Sequence, residues 1–275
     1  MPAERRSEKE YFFGDLKLNA DRERLSLQEQ TWDPFTIRHL ESLRISPGWT
    51  CLNVGAGYGS MTAWIANQVG PTGKVVATDV RPELHRGLSG QAQIRKHDII
   101  RDEIEKDHYD LVLGRMLLQH LKEPDKALSK MASAVKPGGW LLIEELDNST
   151  GPYFDSKDPK LNYWIETGGK YFGIFQKNNL GFDLEYGRRV RMLLEQLGFV
   201  QIRGEMNSPL SRGGEPWARA LSDAVAMCFD ALIGAKLVQE DDARNAKGQM
   251  QGLLADPSFH FVCAPLCSAW GRKPI

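Results

Sequence analysis

Apolar and polar positions in the first half of the chain follow two alternating patterns. Short apolar segments predict strands at 50–54, 74–80, 93–99, 109–113 and 140–145. Segments with apolar residues at helical spacing predict helices at 34–43, 60–69 and 123–136. Strands that alternate with helices form a parallel sheet with helices packed on both faces. The pattern therefore predicts an α/β protein with a doubly wound sheet.

The second half of the chain follows a different pattern. Residues 148–183 are rich in glycine, asparagine and aromatic residues and show no compact strand–helix repeat. We predict an amphipathic helix at 184–197, strands at 200–204 and 259–270, and helices between those strands at 215–236 and 240–254. Insertions of this kind on a rigid sheet commonly form a lid or a binding pocket. We therefore expect the helical insertions to cover a site on the sheet.

Composition narrows the class of partner. The chain has 35 Lys and Arg residues against 36 Asp and Glu residues, for a net charge of −1. This balance predicts neither a nucleic-acid partner nor an anionic membrane partner. No apolar run has the length of a membrane span, and residues 1–15 lack the apolar centre of a signal peptide. The four cysteines show no disulfide framework and no zinc-ligand spacing, so we expect reduced thiols, no metal and a cytoplasmic location.

A glycine loop lies between the first predicted strand and the helix that follows it. Residues 53–60 read Asn-Val-Gly-Ala-Gly-Tyr-Gly-Ser. Glycines allow a tight turn there and let the backbone approach a ligand closely. Asp79 ends the next predicted strand, where a carboxylate accepts both hydroxyls of an adenosine ribose. The loop and the acid together predict a site for a cofactor that contains adenosine.

The order of motifs separates two classes of cofactor. Dinucleotide-binding loops run G-x-G-x-x-G, whereas here the glycines run G-x-G-x-G and Ser60 occupies the third dinucleotide position. Beyond the loop and Asp79 come His97-Asp98-Ile99, Tyr109-Asp-Leu-Val-Leu113 and Lys136-Pro-Gly-Gly-Trp-Leu-Leu-Ile143. As a set, these segments resemble the successive motifs of class I S-adenosylmethionine-dependent methyltransferases. The resemblance implies a Rossmann-like, seven-stranded sheet whose last strand, at 259–270, is antiparallel.

The resemblance also implies a cofactor and the residues that bind it. The cofactor is S-adenosylmethionine, which leaves as S-adenosylhomocysteine. Its methionine portion would lie against Gly55 and Gly57, and Ala56 between them is also implied to bind the cofactor. The residues implied at the adenosine are Asp79 at the ribose, Val80 beside the adenine, Asp98 at the adenine amino group and Ile99 under the ring. The remaining residues implied to bind the cofactor are Asn53, Ser60, Gly114 and Arg115.

Asn53 departs from the pattern of the family. Members usually carry Asp or Glu two residues before the first glycine of the loop, and this chain carries Asn53 there. An amide still accepts a hydrogen bond, but it lacks the charge that strengthens a bond from an ammonium group. The departure therefore concerns the affinity for the cofactor more than the fold.

The N-terminal segment resembles the cap of bacterial natural-product methyltransferases. The resemblance rests on Tyr11-Phe-Phe-Gly14 and Glu23-Arg-Leu-Ser-Leu-Gln28. It implies that the segment folds over the cofactor with Tyr11 and Gln28 lining the site, and contacts within a homo-oligomer are the alternative. The predicted arrangement is one methyltransferase domain over 1–275, comprising a helical cap (1–46), a cofactor-binding core (47–147) and lid or substrate insertions (148–186 and 209–257).

His120 is the candidate for a catalytic base. Methyl transfer is an in-line displacement that requires the two reactants to be aligned and water to be excluded. A hydroxyl acceptor would also gain from a general base, and His120 lies just beyond the fourth predicted strand. The alternative is that His120 only packs there. Asp147-Asn148 resembles a pair found in metal-dependent catechol-type methyltransferases, but Gly114-Arg115 stands where those enzymes carry another acid, so no metal is predicted.

The predicted substrate is a small molecule. Aromatic residues of the insertion, among them Trp164, Tyr171 and Phe175, suggest a pocket for a flat or apolar compound, or else they pack the lid. Met116, Gln119 and Glu145, beside the ends of the fourth and fifth strands, complete the predicted substrate set. Two other functions stay open: a rearrangement that uses S-adenosylmethionine without methylation, and a nicotinamide-dependent oxidation at Tyr153 and Lys157, which flanking prolines disfavour.

Overall fold

The computed structural model describes residues 16–87, 92–149, 157–178, 180–181 and 183–275. Its helices are α1 (Leu18–Ser42), α2 (Ser60–Val69), α3 (Pro124–Ala134), α4 (Pro159–Lys177), α5 (Val190–Gln196), α6 (Pro216–Gly234) and α7 (Glu240–Ala255). Its strands are β1 (Thr50–Val54), β2 (Lys74–Asp79), β3 (Ala92–Lys96), β4 (Tyr109–Arg115), β5 (Val135–Leu146), β6 (Val200–Asn207), β7 (Leu210–Arg212), β8 (His260–Val262) and β9 (Leu266–Arg272). Short 3-10 turns lie at Pro82–Leu84, Leu118–His120 and Tyr186–Arg189.

Seven of the described strands form one sheet in the order β3-β2-β1-β4-β5-β9-β6. The pairs among β1 to β5 are parallel, and β9 runs antiparallel to both of its neighbours. The predicted α/β sheet with its last strand antiparallel is therefore confirmed. The chain builds outward from β1 to β3 and then resumes at β4 on the other side of β1. Such a switch point opens a crevice at the carboxyl ends of the strands.

The sheet is covered on both faces because neighbouring positions of each strand point in opposite directions. One face packs against α3 and α5, through residues that include Leu52, Val112, Leu128, Ile143 and Leu194. The opposite face packs against α2 and the end of α1, through residues that include Leu40, Cys51, Ile65, Leu113 and Leu142.

A further apolar core lies among α1, α4, α6 and α7. It buries four large aromatic side chains of the insertions, Tyr171, Phe175, Trp217 and Phe229. Trp32 of α1 joins it through an edge-to-face contact with Trp217, with ring centroids 5.2 Å apart. Among the helices that the structure describes, none combines the length and the apolar character that a membrane span requires.

The C-terminal strand and the N-terminal helix both differ from the prediction. The predicted strand at 259–270 is two strands, β8 and β9, and β8 pairs with β7 in a separate two-stranded sheet. Pro265 lies in the break between them and offers no N–H to a strand ladder. The predicted helix at 34–43 is only the end of α1, which begins at Leu18. The first half of α1 escaped prediction because it buries Asp21, Arg24 and Glu29, so its buried face is not apolar.

The segment after β5 contains a helix that the glycine-rich sequence did not predict. Helix α4 begins at Pro159, and the Asp158 side chain caps it by accepting the Lys160 N–H over 2.9 Å. Gly168 and Gly169 lie inside this helix, where glycine is usually unfavourable. The tertiary contacts of Tyr171 and Phe175 outweigh that cost. Lys157 precedes the helix, and Tyr153 lies outside the described residues.

Candidate functional site

A cavity of about 330 Å³ lies at the carboxyl ends of β1, β2 and β4. Its floor is the turn between β1 and α2, where Gly55, Gly57 and Gly59 all have positive φ angles, of 67°, 56° and 105°. Only glycine adopts this conformation without strain. At Gly55 a Cβ would also lie 2.9 Å from Cδ1 of Leu117, and at Gly59 it would collide with the His85 ring. The glycines therefore keep the backbone of the turn open to the cavity.

Two carboxylates line one part of this cavity. Asp79, at the end of β2, accepts the Gly57 N–H and the Arg81 N–H, each over 2.9 Å. Burial raises the pKa of Asp79 above its ordinary value, although these two hydrogen bonds act against the shift. Asp98 follows β3 and accepts the Ile100 N–H over 2.8 Å. Both acids face the same space, which suits an adenosine with its hydroxyl and amino donors.

Helix α1 forms the roof of the cavity and is tied down by polar contacts. Asp21 pairs with Arg81 over 2.9 Å, and Asp33 pairs with Arg115 over 2.8 Å. Between them, Glu29 accepts the Ser60 N–H over 2.8 Å and so caps α2, whose own N-cap, Gly59, has no side chain. The roof is thus joined to the ends of three strands by charged groups that are partly or wholly buried.

The turn after β4 forms one wall of the cavity, and Glu145 holds it in place. The Glu145 carboxylate accepts the backbone N–H groups of Leu117, Leu118 and Gln119 over 3.0, 2.7 and 3.3 Å. Burial raises the pKa of Glu145 to about 8, although these hydrogen bonds lower it. Met116 enters the turn with a φ of 50°, a strained value for a side chain of its size. Glu145 therefore positions the wall without lining the cavity itself.

His120 lies in the same wall and is almost completely buried. Burial, and to a lesser extent the charge of Arg24, lowers the pKa of His120 to about 3. Its Nε2 atom lies 3.2 Å from Nε2 of Gln119. A neutral imidazole with so low a pKa is a weak base at physiological pH.

The structure brings most of the predicted cofactor residues to the cavity. Those that line it are Gln28, Asn53, Gly55, Ala56, Gly57, Asp79, Val80, Asp98, Ile99 and Arg115, joined by Met116 and His120. Tyr11 lies outside the described residues. Ser60 and Gly114 do not line the cavity. Ser60 is hydrogen-bonded to Glu29 and Asp33, and a Cβ at Gly114 would collide with Met131.

The predicted substrate residues are more scattered. Trp164 packs against Phe259 and Phe261, and Tyr171 packs against Phe229, all within the helical core. Phe175 is buried in the same core, and neither Gln119 nor Glu145 lines the cavity. The three aromatic side chains, Trp164, Tyr171 and Phe175, pack the insertions together because their aromatic area is buried there. As substrate contacts they stay predictions.

Sequence reasoning missed several residues that line the cavity. Arg24, Glu29 and Trp32 all come from α1, and Leu117 comes from the turn after β4. Only the recurrence of acids along α1 could have pointed to a second, polar face of that helix. In the ranges that the structure describes, no group of three or more His, Cys, Asp or Glu side chains could hold a metal ion.

The fold is that of an α/β protein with a cavity at the switch point of its sheet, where such folds bind their ligands. A methyltransferase-domain family profile matches residues 20–209. The chain therefore belongs to the class I S-adenosylmethionine-dependent methyltransferases, and the family's cofactor is S-adenosylmethionine. The predicted family and cofactor are confirmed.

Two relatives agree with this family, and one solved structure shares the fold. The ubiquinone/menaquinone biosynthesis C-methyltransferase UbiE of Ectopseudomonas mendocina is 31% identical over 130 residues, or 44% of this chain and 50% of that protein. The protein of the same name from Cupriavidus metallidurans is 26% identical over 188 residues, or 62% of this chain and 74% of that one. The chain spans about half the length of the first of these relatives. The YcgJ protein of Bacillus subtilis shares the fold, with a TM-score of 0.54, 13% identity and coverage of 88% and 99%.

The residues around the cavity fit this cofactor. Asp79 and Asp98 offer acceptors to a ribose and to an adenine amino group. The turn at Gly55 and Gly57 offers backbone without side chains, next to Asn53 and Arg115. The apolar wall formed by Met116, Leu117 and Leu121 faces the same space, so one cavity combines a polar and an apolar part.

Proposed function

We propose that this chain transfers the methyl group of S-adenosylmethionine to an O, N or C atom of a small aromatic or otherwise apolar metabolite. The observation that carries the proposal is the single cavity in which the glycine turn, Asp79 and Asp98 meet an apolar wall. When bound, the cofactor supplies an electrophilic methyl group on a sulfonium. Asp79, Asp98 and the glycine turn would hold it, with Gln28 above.

The protein's own contribution to the reaction is to orient the reactants and to exclude water. Helix α1 closes the cavity through Glu29 and Asp33, and Glu145 fixes the turn that carries Met116 and His120. Preorganised surroundings of this kind raise the effective concentration of the acceptor at the methyl group. His120 serves as a polar wall residue in this proposal, because its low pKa suits it poorly to accept a proton.

The helical insertions at 148–186 and 209–257 would complete the substrate side of the site. Trp217 of α6 packs on Trp32, and Trp32 lines the cavity, so α6 is continuous with the roof. The four cysteines are free and buried, which supports the proposed cytoplasmic location. Because the relatives are C-methyltransferases of ubiquinone/menaquinone biosynthesis, a carbon acceptor is the first to test.

Calorimetric titration with S-adenosylmethionine, S-adenosylhomocysteine and NADH tests the proposal first. We expect saturable binding of S-adenosylmethionine and of S-adenosylhomocysteine, and no binding of NADH. Acceptors of ubiquinone or menaquinone biosynthesis and aromatic secondary metabolites are then assayed for production of S-adenosylhomocysteine. Failure to bind either adenosyl ligand would overturn the proposal.

A second candidate is a rearrangement assisted by bound S-adenosylmethionine without methyl transfer. The weak basicity of His120 favours it, because a hydroxyl acceptor would lack a strong general base in this wall. The two functions separate in one assay. Conversion of an acceptor without release of S-adenosylhomocysteine would favour the rearrangement.

A further inference from the structure

Four carboxylates line the cavity, and they differ in where they come from. Asp79 ends β2 and Asp98 follows β3 on the proposed adenosine side, whereas Glu123 lies at the rim with 57% of its side chain exposed. Glu29 is the acid contributed by α1. Its bond to the Ser60 N–H places the carboxylate at the start of α2, beside the glycine turn.

Glu29 is buried without a close cationic partner among the described residues. The residue is 8% exposed, and its Oε1 atom accepts the Ser60 N–H over 2.8 Å. Its Oε2 atom lies 3.4 Å from Nη2 of Arg86, longer than a good charge-assisted hydrogen bond. Arg86 is 42% exposed, so solvent weakens this attraction. Burial accordingly raises the pKa of Glu29, against the effects of Ser60 and Arg86.

Asn53, at the same end of the cavity, is neutral where members of the family usually carry an acid. It is the penultimate residue of β1, two positions before Gly55, and its Nδ2 atom donates to Oγ1 of Thr62 over 3.0 Å. The side chain is neutral, whereas the amino acid end of the family's cofactor carries an ammonium group. Such a group binds a carboxylate more strongly than an amide. Arg115, which pairs with Asp33 over 2.8 Å, lines the cavity as well and offers a positive group to the cofactor's carboxylate.

We propose that Glu29 accepts the ammonium group of the cofactor's amino acid end and supplies the charge that Asn53 lacks. The inference rests on the proposed function, because it places S-adenosylmethionine in this cavity. A bound ammonium would give the buried carboxylate the close cation that Arg86 does not provide. Helix α1 then has two tasks, since one residue both ties the roof to α2 and binds the ligand.

The substitution Glu29→Gln tests this inference, because glutamine keeps an acceptor for the Ser60 N–H and loses the charge. The ligands are S-adenosylhomocysteine and 5′-methylthioadenosine, which has the adenosine and the sulfur but no amino acid end. We expect calorimetry to show S-adenosylhomocysteine bound about tenfold more weakly or worse, and 5′-methylthioadenosine bound within about twofold of the wild type. Glu41→Gln, an exposed residue on the same helix, is the matched control and should leave both affinities unchanged.

Two further variants keep the inference open to refutation. Adding Asn53→Asp to Glu29→Gln should restore much of the affinity for S-adenosylhomocysteine, and Glu29→Asp alone should weaken that ligand selectively. Equal losses for both ligands would overturn the inference, because Glu29 would then only support the turn. Unchanged affinities in Glu29→Gln would overturn it as well. If the wild type binds neither ligand, the proposed function itself is overturned. Failure of the proposed function is thus distinguished from failure of the inference about Glu29, which only the variants reveal.

Discussion

The backbone N–H of Leu118 donates a hydrogen bond of 2.7 Å to the carboxylate of Glu145. This bond joins the end of β5 to the turn after β4, and Leu117 and Gln119 donate to the same carboxylate. The turn carries Met116 and His120 into the wall of the cavity. A buried acid that does not line the cavity thus holds one wall of it in place.

The pKa of Glu145 leads to a prediction about stability and pH. Its value of about 8 in the folded protein exceeds the ordinary value of 4.5, so the folded state holds this proton more tightly than the unfolded chain. The resulting stabilisation is fully present below about pH 4.5 and is lost as the pH rises through about 8. Glu145→Gln keeps a neutral acceptor for the N–H groups at every pH.

We therefore expect Glu145→Gln to flatten the pH dependence of the melting temperature. Between about pH 5 and about pH 9, the wild type should lose a few degrees more than the variant. Scanning calorimetry in matched buffers measures this difference, with Glu195→Gln as the exposed control. Parallel curves for the wild type and Glu145→Gln would show that Glu145 is ionised throughout.

The second prediction concerns His120. Because burial lowers its pKa to about 3, His120 should contribute little as a general base. His120→Asn should reduce kcat by less than about tenfold, whereas loss of a true general base usually costs 10²–10⁴. The pH profile of kcat should keep its shape in the variant. A loss of a thousandfold, together with a vanished ionisation in the profile, would restore His120 as the base.

The sequence predicted the sheet better than it predicted the roof. Strand β1 and helix α2 have the predicted bounds, because glycines mark the turn between them and the apolar pattern is unbroken on each side. Helix α1 was predicted only over its last third. Its buried face carries Arg24, Glu29 and His39, whose burial depends on partners distant in the chain.

The same reasoning explains why most residues predicted to bind the cofactor line the cavity, whereas most residues predicted to bind the substrate do not. Asp79 and Asp98 follow strands, and the carboxyl end of a parallel strand can be located from its sequence. The environments of Tyr171 and Phe175 depend on how α4 packs against α6 and α7, which no local pattern specifies. An aromatic residue has the same signature in a core as in a pocket.

The third prediction concerns Asp79 and contrasts with the test of Glu29. Asp79→Asn removes the charge that faces the proposed ribose and weakens the acceptor for the Gly57 N–H. Both S-adenosylhomocysteine and 5′-methylthioadenosine should bind about tenfold to a hundredfold more weakly, because both contain the ribose. Titration calorimetry measures both affinities, and the exposed Asp241→Asn is the control. Retention of either affinity would remove Asp79 from the ribose site.

The last prediction concerns the glycine turn and the wall that faces it. Gly55→Ala places a Cβ 2.9 Å from Cδ1 of Leu117 at a residue whose φ is 67°. The variant has a steric effect, which is the contact of the new Cβ with Leu117, and a backbone effect, which is the positive φ angle. Only the backbone effect is independent of Leu117. An alanine at positive φ costs about 1 kcal/mol of folding free energy.

A double-mutant cycle with Leu117→Ala separates the two effects. Gly55→Ala should lower both the stability and the affinity for S-adenosylmethionine, and Leu117→Ala in the same chain should restore part of each. We expect a coupling free energy of about 1 kcal/mol between the two positions, as for residues in direct contact. Urea unfolding and calorimetric titration measure it. Strict additivity would mean that the turn moves away from Leu117, and that the wall after β4 does not fix the position of the glycine backbone.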